Sequence, residues 1–161
     1  MTEYRKATPQ ELEQLWDINI AENPGDSNWA RWKTEYISHN QAGRGYTFAV
    51  VIDNQPVGEG TLLFSPDCSA IAGRSELADS KTVANINALR IRKAYEGQGH
   101  ISALVRLMES YAARHGITRL TIGVEAKETR NTAIYLHWGY TEFVTHGIED
   151  GELVLYYAKN L

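Results

Sequence analysis

The stretch from Thr82 to Val124 constrains the fold of this 161-residue chain more than any other. It reads as a strand (TVANINALRI), a glycine-containing connection (RKAYEGQG), a helix (HISALVRLMESYAARHG) and a second strand (ITRLTIGV). The helical segment carries apolar residues at three- and four-residue intervals, which is typical of an amphipathic helix packed on a sheet. Because a strand, helix, strand unit joins parallel strands, the stretch predicts an α/β domain.

The remaining segments predict further helices and strands around this unit. Thr8 and Glu11, with a proline between them, form the capping signature of a helix start. Asp150 and Gly151 separate two strand-like segments and predict a hairpin turn. The segment 66–81 is polar and small, so we expect an excursion at the surface.

These elements follow the order βααβββαβαββ, without repeats or linkers. We therefore predict one α/β domain with a mixed sheet over residues 1–161. Strands are predicted at 4–7, 46–52, 57–64, 82–91, 120–124, 142–146 and 152–157, and helices from Thr8, at 27–37, from the glycines to Gly116, and at 131–138.

Composition and charge argue against several functional classes. The net charge of −4, with no basic cluster carrying interleaved aromatic residues, argues against nucleic acid as a partner. Cys68 is the single cysteine, so no intrachain disulfide forms, no metal site is expected and a reducing compartment fits best. The chain has neither an apolar run of about 18 residues nor a signal peptide, so we expect a cytoplasmic protein with no membrane partner.

Gly97 and Gly99 precede the helix of the central unit and mark a candidate phosphate site. The first N–H groups of a helix lack helical partners and carry a partial positive charge, so they bind anions readily. Glycines there permit positive φ and let an anion approach without meeting a Cβ. The alternative is that they only shape the connection.

The segment LRIRKAYEGQGHISALV resembles the acyl-CoA-binding segment of the GNAT superfamily of N-acetyltransferases. In that family a strand of the form LxV precedes a glycine loop and a helix, and the order βααβββαβαββ is also similar. One gapless alignment places Glu96, Gly99 and Ile101 at the three motif positions. A register two residues earlier recovers both glycines and puts Ala94 first.

The resemblance implies acetyl-CoA as a co-substrate and assigns residues to its binding. Leu89 and Ile91 would offer main-chain groups to the pantetheine arm, and Asn131 would be a further contact. Glu96 is expected to point outward and to contribute only its N–H. The residues implied in the loop and helix start are Glu96, Gly97, Gln98, Gly99, His100 and Ile101.

The polar pattern of the central strand predicts a β-bulge. Asn85 and Asn87 share one face in simple alternation, whereas Arg90 falls on the other. A bulge between 87 and 90 would produce this slip. The family carries such a bulge, which splays the strand from its parallel neighbour to admit the pantetheine. An ordinary strand with two solvated asparagines is the alternative.

Amide formation from an amine and a thioester needs an uncharged amine, a stabilised oxyanion and a proton for the thiolate. By resemblance, the segment ETRNTAIYLHWGYTEF places Tyr135 as the general acid, and an N–H near Leu89 would meet the oxyanion. Glu59, between two glycines, is a candidate base acting through water. The alternative for Tyr135 is a tyrosine packed in the core, and the alternative for Glu59 is a solvated residue of a strand.

The resemblance predicts an N-acetyltransferase that moves an acetyl group directly to a primary amine in a ternary complex. A non-catalytic acyl-CoA sensor of the same fold is an alternative. A dinucleotide-binding protein is another, because Gly97, Gly99 and Ser102 approximate GxGxxG, with Glu125 as the ribose acid. The partner would be a small-molecule or peptide amine, and the oligomeric state stays open, with a homodimer among the options.

The histidines and an aromatic stripe are the other side chains with functional chemistry. None of the five histidines forms a catalytic or metal pair, and four of them are placed at the surface or at helix ends: His39, His100, His115 and His137. An aromatic stripe at helical spacing is interpreted either as core or as the border of the acceptor pocket: Trp29, Trp32 and Tyr36.

Overall fold

Seven strands form one mixed sheet in the order β1-β2-β3-β4-β5-β7-β6, and only the β4–β5 pair is parallel. The computed structural model describes all 161 residues. The predicted order βααβββαβαββ is confirmed. The elements are β1 (Thr2–Lys6), α1 (Pro9–Glu22), α2 (Asn28–Ala42), β2 (Gly45–Ile52), β3 (Gln55–Leu63), β4 (Val83–Ile91), α3 (His100–Arg114), β5 (Arg119–Glu125), α4 (Thr129–His137), β6 (Glu142–Glu149) and β7 (Glu152–Asn160).

Local chemistry explains where the elements begin and turn. Thr8 and Glu11 form the predicted capping box of α1, since each side chain accepts from the other residue's main-chain N–H. Asp150 and Gly151 both have positive φ, 51° and 79°, which is the twist a two-residue hairpin requires. The two strands of this hairpin extend beyond the predicted ends, to Glu149 and Asn160. None of the helices has the length and apolar character that crossing a bilayer requires.

The two faces of the sheet are covered by different helices. On one face α3 inserts Leu104 and Met108 against Phe48 and Leu62, which belong to the largest buried cluster. On the other face α1 and α2 pack over the sheet. The end of β4 borders a cavity and is therefore accessible to a ligand.

The segment 66–81 lies at the surface, as predicted, but buried side chains anchor it to the core. Cys68, Ile71, Leu77 and Ala78 are each fully buried within it and pack on the face covered by α1 and α2. Successive turn hydrogen bonds, among them the Ile71 N–H to the Cys68 carbonyl at 2.9 Å, satisfy the buried main chain. Burial raises the pKa of the Cys68 thiol, which fits a packing role.

The predicted bulge in β4 is present. Asn87 pairs with Thr61 and Arg90 with Glu59, so one extra β4 residue lies between the two pairs. Ala88 carries the distortion with φ of 52°. The bulge brings the polar side chains of β4 to one face, and Asn85 is buried rather than solvated.

The parallel strands separate just before this bulge. Pairing between β4 and β5 ends at Ile86 and Ile122, although both strands continue, to Ile91 and Glu125. The predicted splay is therefore confirmed. A single parallel pair also excludes the doubly wound parallel sheet of a dinucleotide-binding domain.

Candidate active site

The loop before α3 presents a row of free main-chain donors. Gly97 and Gly99 have φ of +72° and +83°, and Gly99 is the N-cap of α3. The N–H groups of residues 97–102 have no acceptor within the chain. A Cβ built on either glycine would meet nothing within 4 Å, so the space before the loop is open. Free donors at the positive end of a 15-residue helix fit a phosphate group.

Glu96 contributes less to this loop than predicted. Its side chain is exposed, as expected for an acid beside an anion site. Its N–H, however, donates to the Lys93 carbonyl at 3.2 Å, because residues Lys93–Tyr95 form a 3₁₀ turn that the sequence pattern did not reveal. The donors left free therefore begin at Gly97.

His100 lies at a helix end, as predicted, and is buried there. Its Nδ1 lies 2.8 Å from the Tyr4 hydroxyl, and its Nε2 lies 3.2 Å from Gln98 Oε1. The ring thus ties the glycine loop to β1, while its own N–H remains free in the first turn of α3. His39 is also buried, and desolvation lowers its pKa. Both residues lie at helix ends, as predicted, but neither is exposed.

The splay between β4 and β5 forms a cavity of about 300 Å³, whose walls include Leu89, Val124 and Tyr135. The Arg92 N–H donates to the Val57 carbonyl of β3 at 2.9 Å. Neighbouring strand residues direct their main-chain groups to opposite sides, so Ile91 directs its groups away from β3. By the same alternation Leu89 also directs its groups away from β3. The main-chain N–H and C=O groups of both residues therefore face the gap between β4 and β5.

Tyr135 lies where this gap meets a larger cavity of about 580 Å³ at the end of β4. Its ring packs against Trp138, with ring centroids 5.8 Å apart, and against the largest buried cluster. No group of the protein hydrogen-bonds its hydroxyl. Burial, and secondarily the charge of Glu128, raise its pKa, so the hydroxyl keeps its proton at neutral pH.

The cavity of about 580 Å³ at the end of β4 lies between the glycine loop, α1 and α4, and is called the larger cavity by comparison with the strand gap. Gly97 and Ile101 line it from the loop and the start of α3, and Asn131 lines it from the first turn of α4. Arg92 and Arg130 also line it. Arg92 lies 3.7 Å from Glu22, whereas Arg130 forms no ion pair, so it is available to an anion.

Glu59 lines the same cavity and is almost completely buried, with 2% of its surface exposed. The solvated alternative is therefore wrong. Its Oε1 accepts from Arg90 Nη2 at 3.2 Å, and its Oε2 accepts from Asn19 Nδ2 at 2.9 Å. The sequence pattern missed both partners, which lie 31 and 40 residues away along the chain. The alternation of polar residues in β4 is the only sequence feature that points to Arg90.

A second large cavity, of about 780 Å³, lies on the face covered by α1 and α2. Trp32 and Tyr36 of α2 line it together with the turn of the β6–β7 hairpin. Tyr36 is nevertheless buried and donates to Asn87 Oδ1. Trp29 packs edge-on against Trp32. The aromatic stripe is thus core and cavity wall at once.

The splayed strands and the free donors of the glycine loop together fit the binding of an acyl-CoA, as in an acyl-CoA-dependent transferase. The model of the acetyltransferase (GNAT) family matches residues 11–140, and the chain belongs to this family. Acetyl-CoA is accordingly its co-substrate, and the free N–H groups of residues 97–102 fit such a group. No curated protein sequence matches the chain significantly.

Solved structures share the whole fold at low sequence identity. A GNAT-family protein from Desulfovibrio desulfuricans is 13% identical, with a TM-score of 0.75 and 99% of each chain covered. The PaiA N-acetyltransferase of Thermoplasma acidophilum, in complex with coenzyme A, is 15% identical, with a TM-score of 0.66 and coverage of 100% of this chain and 99% of that one. A mutant of the spermidine N-acetyltransferase of Vibrio cholerae is 14% identical, with a TM-score of 0.71 and coverage of 99% and 93%.

Proposed function

We propose that the protein transfers the acetyl group of acetyl-CoA to a primary amine by direct attack in a ternary complex. The observation that carries the proposal is the free, protonated hydroxyl of Tyr135 at the meeting point of the strand gap and the larger cavity. The N-acetyltransferases of similar fold support an amine as the acceptor. Acetyl-CoA, when bound, supplies an activated thioester.

The chain offers groups for both ends of this co-substrate. The free N–H groups of residues 97–102 bind the pyrophosphate, and Arg130 adds a positive charge at the same cavity. The main-chain groups of Leu89 and Ile91 face the strand gap, where they pair with the amide groups of the pantetheine arm. Asn131 contributes from the first turn of α4.

Three groups handle the protons and the developing charge. Tyr135 Oη donates its proton to the sulfur as the C–S bond breaks, and the nitrogen of the new amide then returns its surplus proton to Tyr135. The main-chain N–H of Leu89 stabilises negative charge on the acyl oxygen. Glu59 accepts a proton from the ammonium of the acceptor through a water, because its own oxygens are held by Asn19 and Arg90.

Replacing Tyr135 with Phe removes the proposed acid and keeps the packed ring. We expect kcat for acetyl transfer to fall by about 10²–10⁴, the usual contribution of a positioned acid, with the dissociation constant of acetyl-CoA unchanged. The raised pKa predicts that the parental rate has no alkaline limb from Tyr135 below about pH 10. Release of the CoA thiol with a panel of amino acids, polyamines and peptides provides the rate, and calorimetry provides the binding constant.

Tyr111→Phe is the matched control. Tyr111 is also half-buried, its hydroxyl makes no hydrogen bond and burial raises its pKa, but it lies far along α3, stacked on His115. This variant should keep the parental rate. A parental rate in Tyr135→Phe as well would show that Tyr135 is not the acid. Acetyl-CoA binding without transfer to any amine would instead favour the non-catalytic sensor.

A further inference from the structure

Arg90 is the one residue that lines both large cavities, the one at the end of β4 and the one beside α2. It follows the bulge directly, so it lies next to the main chain that faces the strand gap. Any acceptor that reaches Glu59 and Tyr135 from the α2 side therefore passes its guanidinium. The charge of Arg90 acts on whatever the second cavity holds.

The guanidinium of Arg90 is held in a fixed plane. Its central carbon lies 4.8 Å from the ring centroid of Trp16 and 5.0 Å from that of Trp29. Nη2 donates one proton to Glu59 at 3.2 Å, and Nε is enclosed by the protein, so Nη1 and the second proton of Nη2 remain for a ligand. An arginine stacked on aromatic rings presents its remaining donors as a rigid fork, which matches a carboxylate.

The other charged groups of the second cavity are largely occupied by one another. Arg74 donates to the carbonyls of Ala70 and Ile71 and pairs with Glu149 at 3.5 Å. Arg31 lies 3.9 Å from Glu35 and is well exposed. Asp150 forms no ion pair, but it lies in the exposed hairpin turn on the opposite wall. Arg90 is thus the cation of the second cavity that also lines the cavity of Glu59 and Tyr135.

We propose that Arg90 binds the carboxylate of the acceptor, so that the acceptor is a free α-amino acid or a similar zwitterion. This inference rests on the function proposed above. The ammonium and carboxylate of an α-amino acid are one carbon apart, and the charged groups that would meet them, Glu59 and Arg90, are 3.2 Å apart. A polyamine carries only positive charge, which Arg90 repels, so polyamines are poor acceptors.

The test compares each amino acid with its carboxamide, which keeps the amine and the side chain but removes the negative charge. With the parental protein we expect kcat/KM for the acid to exceed that for the amide at least tenfold, mainly through KM. In Arg90→Gln that ratio should fall toward one. Because Arg90→Gln leaves the buried Glu59 without its charged partner, Arg90→Lys serves as the variant that preserves folding. It keeps the charge but loses the fork, so the ratio should lie in between.

Two further measurements separate this inference from the proposed function. The dissociation constant of acetyl-CoA should be the parental one in both variants, and calorimetry with the twenty amino acids in the presence of CoA should detect binding to the parental protein. Equal transfer to acid and amide would overturn the role of Arg90 while leaving the acetyltransferase intact. A preference for spermidine, or no binding of any amino acid, would also overturn it.

Discussion

At the scale of single residues, the proposed pyrophosphate site is tested best at Gly99. Gly99 is the N-cap of α3 with φ of +83°, and its N–H belongs to the free row of residues 97–102. A side chain there would lie in open space, so it clashes with nothing in the protein itself. In the proposed complex it would instead meet the pyrophosphate of acetyl-CoA.

Gly99→Asp and Gly99→Asn separate charge from size at this position. Both side chains tolerate positive φ better than other residues do. We expect Gly99→Asp to raise the dissociation constant of acetyl-CoA at least about tenfold, or 1.4 kcal/mol, because a carboxylate repels the pyrophosphate. Gly99→Asn should raise it clearly less. Equal constants for Gly99→Asp and the parental protein, measured by calorimetry on folded samples, would place the pyrophosphate elsewhere.

The residues of the candidate site were predicted unequally well from the sequence. Gly97 and Gly99 were proposed from their place before a helix, and Tyr135 from the resemblance of its segment to the GNAT family. The ion pair of Glu59 with Arg90 joins neighbouring strands across 31 residues, and no local pattern encodes such a pairing. The burial of His100 was not predictable, because its partner Tyr4 comes from the far end of the chain.

At the scale of elements, the bulge in β4 opens the sheet. Ala88 adopts φ of 52°, and the β4–β5 pairing ends two residues before it. Gly60 on β3 makes room for this geometry, since a Cβ there would lie 2.9 Å from Leu89 Cδ1 and from Met108 Sδ. The opening therefore depends on one distorted residue and one small neighbour.

Ala88→Val tests this dependence. A β-branched residue strongly disfavours positive φ, so we expect a loss of stability of roughly 1–3 kcal/mol and weaker acetyl-CoA binding as the bulge flattens. Ala88→Gly accepts the same φ and should bind acetyl-CoA like the parental protein. Thermal melts and calorimetry on the two variants provide the comparison. Matching affinities would mean that the bulge conformation is not needed for binding.

The elements also show where sequence patterns reach their limit. The bulge was predictable because a phase slip between Asn87 and Arg90 is written into the alternation of one strand. The burial of four residues in segment 66–81 was not predictable, because they are spaced irregularly among polar ones. Only the sheet face beneath them decides that they point inward.

At the scale of the whole molecule, one parallel pair in an otherwise antiparallel sheet places the helix N-terminus and the strand gap at the same end. The two large cavities meet there at Arg90, so donor and acceptor can approach from different sides. The order of elements was fully predictable from local signals. The two cavities were not, since each is lined by segments distant along the chain.

The central claim, that this end of the sheet binds acetyl-CoA, is tested most directly by thermal melts with acetyl-CoA, CoA or NAD. A ligand at 100 times its dissociation constant adds about 2.7 kcal/mol, which corresponds to roughly 5–10 °C in a domain of this size. We predict such an increase in melting temperature with acetyl-CoA and with CoA, and none with NAD. An increase with NAD alone, or with none of the three, would contradict the assignment.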